Sequence, residues 1–304
     1  MSRAAAFDAF RRTAPSLEAL IGRIERAARS EAPVLILGPE GSGRSTVARG
    51  VHQASQRADG PLVEVDIAAI PSTLFESEFF GFRAGAFTGA EAASAGRVSR
   101  AEQGSLLLDH VEELPLGSQP KLLRLLAERQ YAPLGGADRP ADIRFVAVGA
   151  SDLAARVANG TFRADLFYRL EVLTFTLPEL AARKTDLPAL FDYFLADLGA
   201  RSERSRLRLS DRALRWMLEY PWPGNLRQVR NVIERALVEA PRATVLDPPP
   251  PRDLSGRPRS LAEVEKEQIE AALAYTRGHQ GRAADLLGIS RKTLWEKRKR
   301  YGVP

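Results

Sequence analysis

The stretch Pro33-Val34-Leu35-Ile36-Leu37-Gly38-Pro39-Glu40-Gly41-Ser42-Gly43-Arg44-Ser45-Thr46 carries three kinds of local order in succession. Residues 33–37 are an unbroken apolar run, short enough for a strand buried on both faces of a parallel sheet. A glycine-rich loop follows, and residues 46–53 then read as a helix. Strand, glycine loop and helix start bring backbone amides and a helix N-terminus together on one anion. Gly38, Gly41, Ser42, Gly43, Arg44, Ser45 and Thr46 are therefore the candidate phosphate-binding residues, with the Ser45 hydroxyl as a candidate magnesium ligand. One position departs from the usual pattern, because Arg44 stands where a lysine is expected.

Outward from this loop, further strands are expected at residues 62–67, 104–110, 143–148 and 173–177. Helices are expected at residues 74–80 and 121–129. Strands alternating with helices give a doubly wound parallel α/β sheet with its ligand at the strand C-termini. The third strand, Gly104-Ser105-Leu106-Leu107-Leu108-Asp109-His110, ends in an acid suited to a magnesium shell. On the N-terminal side, Phe7, Phe10, Leu17, Leu20, Ile21 and Ile24 have helical spacing, which predicts one helix over residues 7–30. Nothing resembling a regulatory domain is expected ahead of it.

Beyond residue 178 the pattern is helical, with amphipathic segments at 186–198 and 211–218. Trp222-Pro223-Gly224-Asn225-Leu226-Arg227 opens another helix that runs to about residue 240. The proline- and arginine-rich residues 241–260 read as a semi-extended linker. Helices at 261–275, 281–287 and 291–301 follow. Gly288-Ile289-Ser290 is a tight turn with Ser290 as N-cap, so the last two helices form a helix-turn-helix. The third carries Arg291, Lys292, Lys297, Arg298, Lys299 and Arg300 against Glu296 alone, while Ala283, Ala284, Leu287, Ile289 and Leu294 supply apolar packing.

Composition narrows the function classes. The chain has 304 residues, no cysteine, a net charge of +6 and ordinary apolar (44%) and charged (27%) content, so disulfides and thiolate metal sites are excluded. Asp8, Arg11 and Arg12 interrupt any signal-peptide core, and no apolar run is long enough to cross a bilayer. A cytoplasmic protein with a polyanionic partner is the expectation.

The segment Gly85-Ala86-Phe87-Thr88-Gly89-Ala90 places an apolar ring and a hydroxyl between glycines that let the backbone reverse, so Phe87 and Thr88 are expected at an exposed hairpin tip. These six residues resemble the signature loop of the bacterial enhancer-binding proteins, the AAA+ activators of RNA polymerase carrying sigma-54. The resemblance covers the chain from about residue 14 onward. It implies an α/β AAA+ P-loop sheet of strand order 5-1-4-3-2 over residues 1–178, a helical lid over 179–243, a linker over 244–260 and a Fis-type helix-turn-helix domain over 261–304. It further implies that residues 85–90 contact sigma-54 and that ATP and magnesium bind at the loop, with Ser45 and Asp109 as metal ligands.

By the same resemblance, Arg163 and Arg169, in Phe162-Arg163-Ala164-Asp165-Leu166-Phe167-Tyr168-Arg169-Leu170, reach a neighbouring subunit's nucleotide, and Arg227 senses the γ-phosphate. The implied partners are sigma-54 RNA polymerase, upstream DNA, and copies of the chain in a hexameric ring or a ring mixed with a homologue. Arg291, Lys292 and Thr293 are the implied base readers, with Lys297, Arg298 and Lys299 on phosphates. Four positions depart from the family's hydrolytic pattern: Arg44 for lysine, His110 for the glutamate after Asp109, Ala150 for a sensor asparagine, and Asp66 for an asparagine. The sequence therefore leaves two readings open, a working motor with an unusual site and a DNA-binding regulator or partner subunit that does not hydrolyse ATP.

Overall fold

The structure is a computed structural model and describes residues 6–251, 261–276 and 278–303. Residues up to 250 form one compact unit and those beyond it a second.

The first unit begins with α1 (Asp8–Thr13) and α2 (Glu18–Ala28), then β1 (Val34–Leu37), α3 (Arg44–Gln53), β2 (Leu62–Asp66) and α4 (Ser72–Phe80). The expected single helix over 7–30 is broken in two, because Pro15 has no N–H to donate and its ring blocks a continuous helix. Ala14 accordingly leaves the helical region at φ −139° and a 3₁₀ turn at Pro15–Leu17 bridges the halves. A two-stranded ribbon follows, β3 (Gly81–Phe82) and β4 (Ser94–Ala95), and then α5 (Arg97–Arg100), β5 (Ser105–Asp109) and α6 (Gln119–Glu128). A second ribbon, β6 (Gln130–Tyr131) with β7 (Arg139–Pro140), precedes β8 (Arg144–Gly149), α7 (Leu153–Ala158), α8 (Ala164–Leu170) and β9 (Leu173–Thr176).

The five longer strands are parallel and lie in the order β9-β1-β8-β5-β2, the 5-1-4-3-2 arrangement expected. Alternation along β1 builds two layers. Val34 and Ile36 face a core with Phe7, Ile21, Ile24, Val47 and Val51, whereas Leu35 faces Phe75, Phe79, Leu122 and Phe145 on the other side. β1 is thus covered on both faces, which is why it reads as a continuous apolar run.

The lid comprises α9 (Leu187–Arg201), β10 (Arg208–Leu209), α10 (Asp211–Glu219), α11 (Asn225–Glu239) and β11 (Val245–Leu246) around its own core of Leu190, Phe191, Met217, Trp222, Val229 and Ile233. β11 corrects the reading of residues 244–260 as linker. Val245 and Leu246 pair in parallel with β10, Leu246 is fully buried, and Trp216 Nε1 donates to the Pro248 carbonyl at 3.1 Å. The two apolar residues of a proline-rich stretch are enough to dock its first part on the lid. Residues 252–260 lie outside the described residues.

The second unit contains α12 (Leu261–Tyr275), α13 (Gln280–Leu286) and α14 (Arg291–Tyr301) around Ile269, Ala283, Ala284 and Leu294. Ser290 caps α14 as expected, its hydroxyl accepting from the Thr293 N–H at 3.0 Å.

Beneath the sheet's end, His52 is buried, with Nδ1 2.9 Å from Ser105 Oγ. Burial, and then the nearby Arg144 cation, lower its pKa from the usual 6.5. Below that usual value the unfolded chain takes up a proton that the buried ring resists, so stability present above it is lost as pH falls. The unfolding midpoint is expected to drop between about pH 7.5 and pH 5.5, and His52→Gln to flatten that slope. Equal slopes for both proteins in thermal denaturation would show that His52 carries no such linkage.

Candidate functional site

The loop that follows β1 and the end of β5 open on a cavity of about 410 Å³ shared with α1 and the lid. Ser45, at the start of α3, donates from Oγ to Asp109 Oδ2 at 2.6 Å, so the two expected metal-binding oxygens are adjacent. Asp109 Oδ1 also accepts from the His110 N–H at 3.0 Å. Thr46 and Gly43 line the same cavity, while Ser42 is buried with its Oγ lacking a hydrogen-bond partner among the described residues.

The four positions expected to depart from the family pattern lie in two neighbouring pairs, Arg44 with Ala150 and Asp66 with His110. Arg44 is buried and turned inward, donating from Nη1 to the carbonyl oxygens of Gly38, at 2.7 Å, and Gly149. Gly149 ends β8 and is bonded to Ala150, so the guanidinium ties the phosphate loop to the end of that strand. A lysine, with one compact charge on a flexible stem, lacks this planar fork. Asp66 and Asp109 are register partners on β2 and β5. Between their side chains sits the His110 ring, with Nδ1 2.9 Å from Asp66 Oδ1. In the neutral ring, an Nδ1–H donated to the carboxylate leaves Nε2 as an acceptor. His110 adopts φ +54°, a left-handed conformation uncommon for any side chain other than glycine.

The lid closes on the loop through the backbone. Asn225 Nδ2 donates to the Glu40 carbonyl at 2.9 Å, the Leu226 N–H to Gly41 at 2.9 Å and Arg183 Nη2 to Ser42 at 2.8 Å. Arg227 lines the cavity as expected, and its Nη1 pairs with the Glu40 carboxylate. That hydrogen bond, with the cation's charge, holds Glu40 below its usual pKa. Phe10 and Thr13 of α1, Tyr193 and Phe194 of α9, and Leu226 complete an apolar wall that sequence reasoning missed. These residues appear there only as amphipathic helix positions, with no signal that separates cavity from core.

Elsewhere on this unit, Arg163 precedes α8 without capping it and pairs with Asp165 at 2.8 Å, and Arg169 reaches the Leu126 carbonyl at 3.2 Å. Both arginines are exposed and neither lines the cavity. The 85–90 loop rises from the β3–β4 ribbon, with Gly85 and Gly89 at φ +78° and +95°. Thr88 is exposed, but Phe87 is 45% exposed and leans on Phe82 with ring centres 5.0 Å apart. Ala90 is buried, because its N–H and carbonyl close the turn on Phe87 and Gly85, which turns it inward from the expected contact surface.

In the second unit, Arg291, Lys292 and Lys299 are exposed along α14. The Arg291 guanidinium lies over Gly281, where a methyl group would come within 2.6 Å of it. The Thr293 hydroxyl is engaged with Ser290 at 2.8 Å. Lys297 differs from expectation: its ammonium binds both carboxylate oxygens of Glu265 at 2.7 Å and so fastens α14 to α12 instead of facing outward. Arg298 is half-buried.

A parallel sheet of this order with a phosphate loop, a terminal strand acid and a helical lid on that loop defines a P-loop protein of the AAA+ class. Residues 10–176 match the sigma-54 interaction domain, residues 181–260 the AAA+ ATPase lid domain, and residues 260–301 the Fis family of bacterial regulatory proteins. The chain belongs to the sigma-54 interaction domain family. It is 40% identical over 296 residues to the regulatory protein AtoC of Escherichia coli (strain K12), covering 91% of this chain and 64% of AtoC. It is also 40% identical over 299 residues to the alginate biosynthesis transcriptional regulatory protein AlgB of Pseudomonas aeruginosa, covering 95% and 66%. The chain thus spans about two thirds of the length of these curated relatives. The crystal structure of NtrX from Brucella abortus in complex with ATP matches with a TM-score of 0.70 at 33% identity, over 94% of this chain and 68% of NtrX.

Asn225 joins lid and loop at both ends of its amide, since Oδ1 also accepts from the Leu180 N–H at 2.7 Å. Asn225→Ala would strand two backbone groups, each costing about 1–3 kcal/mol when buried without a partner. The urea midpoint of the first unit is expected to fall clearly in Asn225→Ala and less in Asn225→Asp, which keeps the acceptor. A change within measurement error for Asn225→Ala would show that the bridge is dispensable.

Proposed function

We propose that the chain is a sigma-54-dependent transcriptional regulator that binds ATP in the loop–lid cavity, DNA through α14, and sigma-54 RNA polymerase through residues 85–90. The observation that carries this reading is the occurrence of the Gly85–Gly89 loop, raised on its own ribbon, and a lid-covered phosphate loop in one unit. ATP in NtrX and the family match to the sigma-54 interaction domain support it. The hard oxygen pair of Ser45 and Asp109 suits magnesium, which would neutralise phosphate charge there. Amides of the 38–45 loop would hold the phosphates, and the apolar wall of Phe10, Tyr193 and Leu226 would take the base. Arg163 and Arg169, exposed and outside the cavity, would serve a neighbouring copy in a ring, hexameric by resemblance or mixed with a homologue. Among the described residues no helix is long and apolar enough to cross a membrane.

Within this reading the site favours binding over turnover. Arg44 donates to two carbonyl oxygens of the protein itself, and Ala150 offers no side-chain donor. His110, held by Asp66, stands where the family places its glutamate, and loss of a positioned general base costs about 10²–10⁴-fold in rate. Arg44→Lys is expected to free the Gly149 carbonyl, place a mobile ammonium near the phosphates and tighten ATP binding, read by titration with a fluorescent ATP analogue. Unchanged or weaker binding would contradict the inward latch.

Phe87→Ala tests the loop. Removing a central aromatic anchor typically costs about 2 kcal/mol or more in an interface. Sigma-54 capture in the presence of an ATP analogue is therefore expected to weaken by roughly 30-fold, with ATP and DNA affinities unchanged. Full sigma-54 capture by Phe87→Ala would refute the role given to the loop.

A further inference from the structure

Trp295 stands within the cationic face of α14, and charge alone does not account for it. The chain has three tryptophans. Trp222 is 1% exposed, and the Trp216 indole is tied to the Pro248 carbonyl, but Trp295 is 57% exposed. At 3.6 residues per turn, Arg291, Trp295, Lys299 and Lys292 share one side of α14, away from the buried Leu294. The Lys299 ammonium lies 5.5 Å from the centre of the indole ring. On the opposite side, Lys297 and the Tyr301 hydroxyl both bind Glu265, so the helix is anchored without using its outward face.

A large exposed ring surrounded by cations calls for a partner that is negative yet offers an apolar group at short range. Duplex DNA meets both conditions, since the thymine C5-methyl is the apolar group displayed on base edges in the major groove. We propose that Trp295 packs against a thymine methyl in the major groove and is a specificity-determining residue of the helix-turn-helix. Lys299, stacked on the ring, holds it against the groove while reaching a flanking phosphate. Trp295 reads sequence, and Lys299 supplies sequence-independent attraction. The inference rests on the DNA-binding reading above and names a contact that the cationic residues do not supply.

The test uses the full chain, a duplex that it selects from a random library, and an unrelated duplex of equal length. Replacing thymines singly by deoxyuridine removes only the methyl group. One or two such replacements are expected to weaken the unaltered chain and to leave Trp295→Ala unaffected. Trp295→Ala is expected to lose about 5- to 100-fold on the selected duplex, the range for one lost base-pair contact, and little on the unrelated one. Trp295→Phe should retain most of the affinity. Lys299→Ala should weaken both duplexes and reduce the salt slope by about one.

Equal binding of the selected duplex by Trp295→Ala, an equal loss on both duplexes, or thymine-methyl sensitivity that persists in Trp295→Ala would each overturn the proposal. Loss of capture of an acidic protein by Trp295→Ala, with DNA binding intact, would assign the ring to a protein partner instead. A chain that binds no duplex would overturn the DNA-binding reading and this inference together, whereas binding without thymine coupling overturns the inference alone.

Discussion

Three consecutive carbonyl oxygens of the phosphate loop, those of Glu40, Gly41 and Ser42, are held by donors from the lid. A loop that turns its amides toward an anion turns its carbonyls the other way, and buried carbonyls need donors. The Asn225 amide, the Leu226 backbone and the Arg183 guanidinium provide them, so the loop's shape depends on the lid being in place. The same region reaches back to the N-terminus. Asp186, fully buried, accepts from both the N–H and the hydroxyl of Ser16, at 2.9 and 2.6 Å. N-terminal helices, loop and lid are thereby one hydrogen-bonded body with the cavity between them. Short, directional bonds therefore join the phosphate loop to the lid alongside the apolar contact of Leu226.

Arg44, Ala150, Asp66 and His110 are far apart in the sequence, but in space they lie in two neighbouring pairs. Arg44 reaches the Gly149 carbonyl beside Ala150, and Asp66 holds the ring of His110. The first contact is to the backbone next to Ala150, and the second is between two side chains. An imidazole facing a carboxylate is a satisfied pair, as is a guanidinium on two carbonyls. Both contacts lie beside the Ser45–Asp109 pair at the mouth of the phosphate loop. The Glu112 carboxylate is buried with Oε2 unpartnered among the described residues, 3.3 Å from where a Cβ on Gly149 would lie.

The elements of the fold were legible because their signals are local. Apolar runs marked β1, β5 and β8, glycines marked the phosphate loop, and Ser290 marked the start of α14. Pro15 could have been read as a helix break from its missing N–H alone. β11 was harder, since two apolar residues among prolines give no periodicity, and only the partner strand β10 makes them a strand. The site was legible as a set of donors but not as a geometry. Whether Arg44 points out or in, and whether Phe87 stands free or leans on Phe82, depends on neighbours that no local pattern names. The lid contacts join residues far apart in sequence, such as Asn225 and Glu40, and periodicity carries no information about them.

The second unit separates packing from recognition within a single helix. Glu265 is held below its usual pKa by Lys297 first and then by Tyr301, so at neutral pH it is a charged anchor with two donors on α14. That anchor, with Leu294 in the core, fixes the rotation of the helix about its axis. Once the rotation is set, Arg291, Lys292, Trp295 and Lys299 have no choice of face. They are presented together, although Arg291 also lies over the buried Gly281 of α13. A basic cluster read from sequence alone assigns every cation to the ligand. The structure divides them, and the division leaves the indole on the exposed face with Arg291, Lys292 and Lys299.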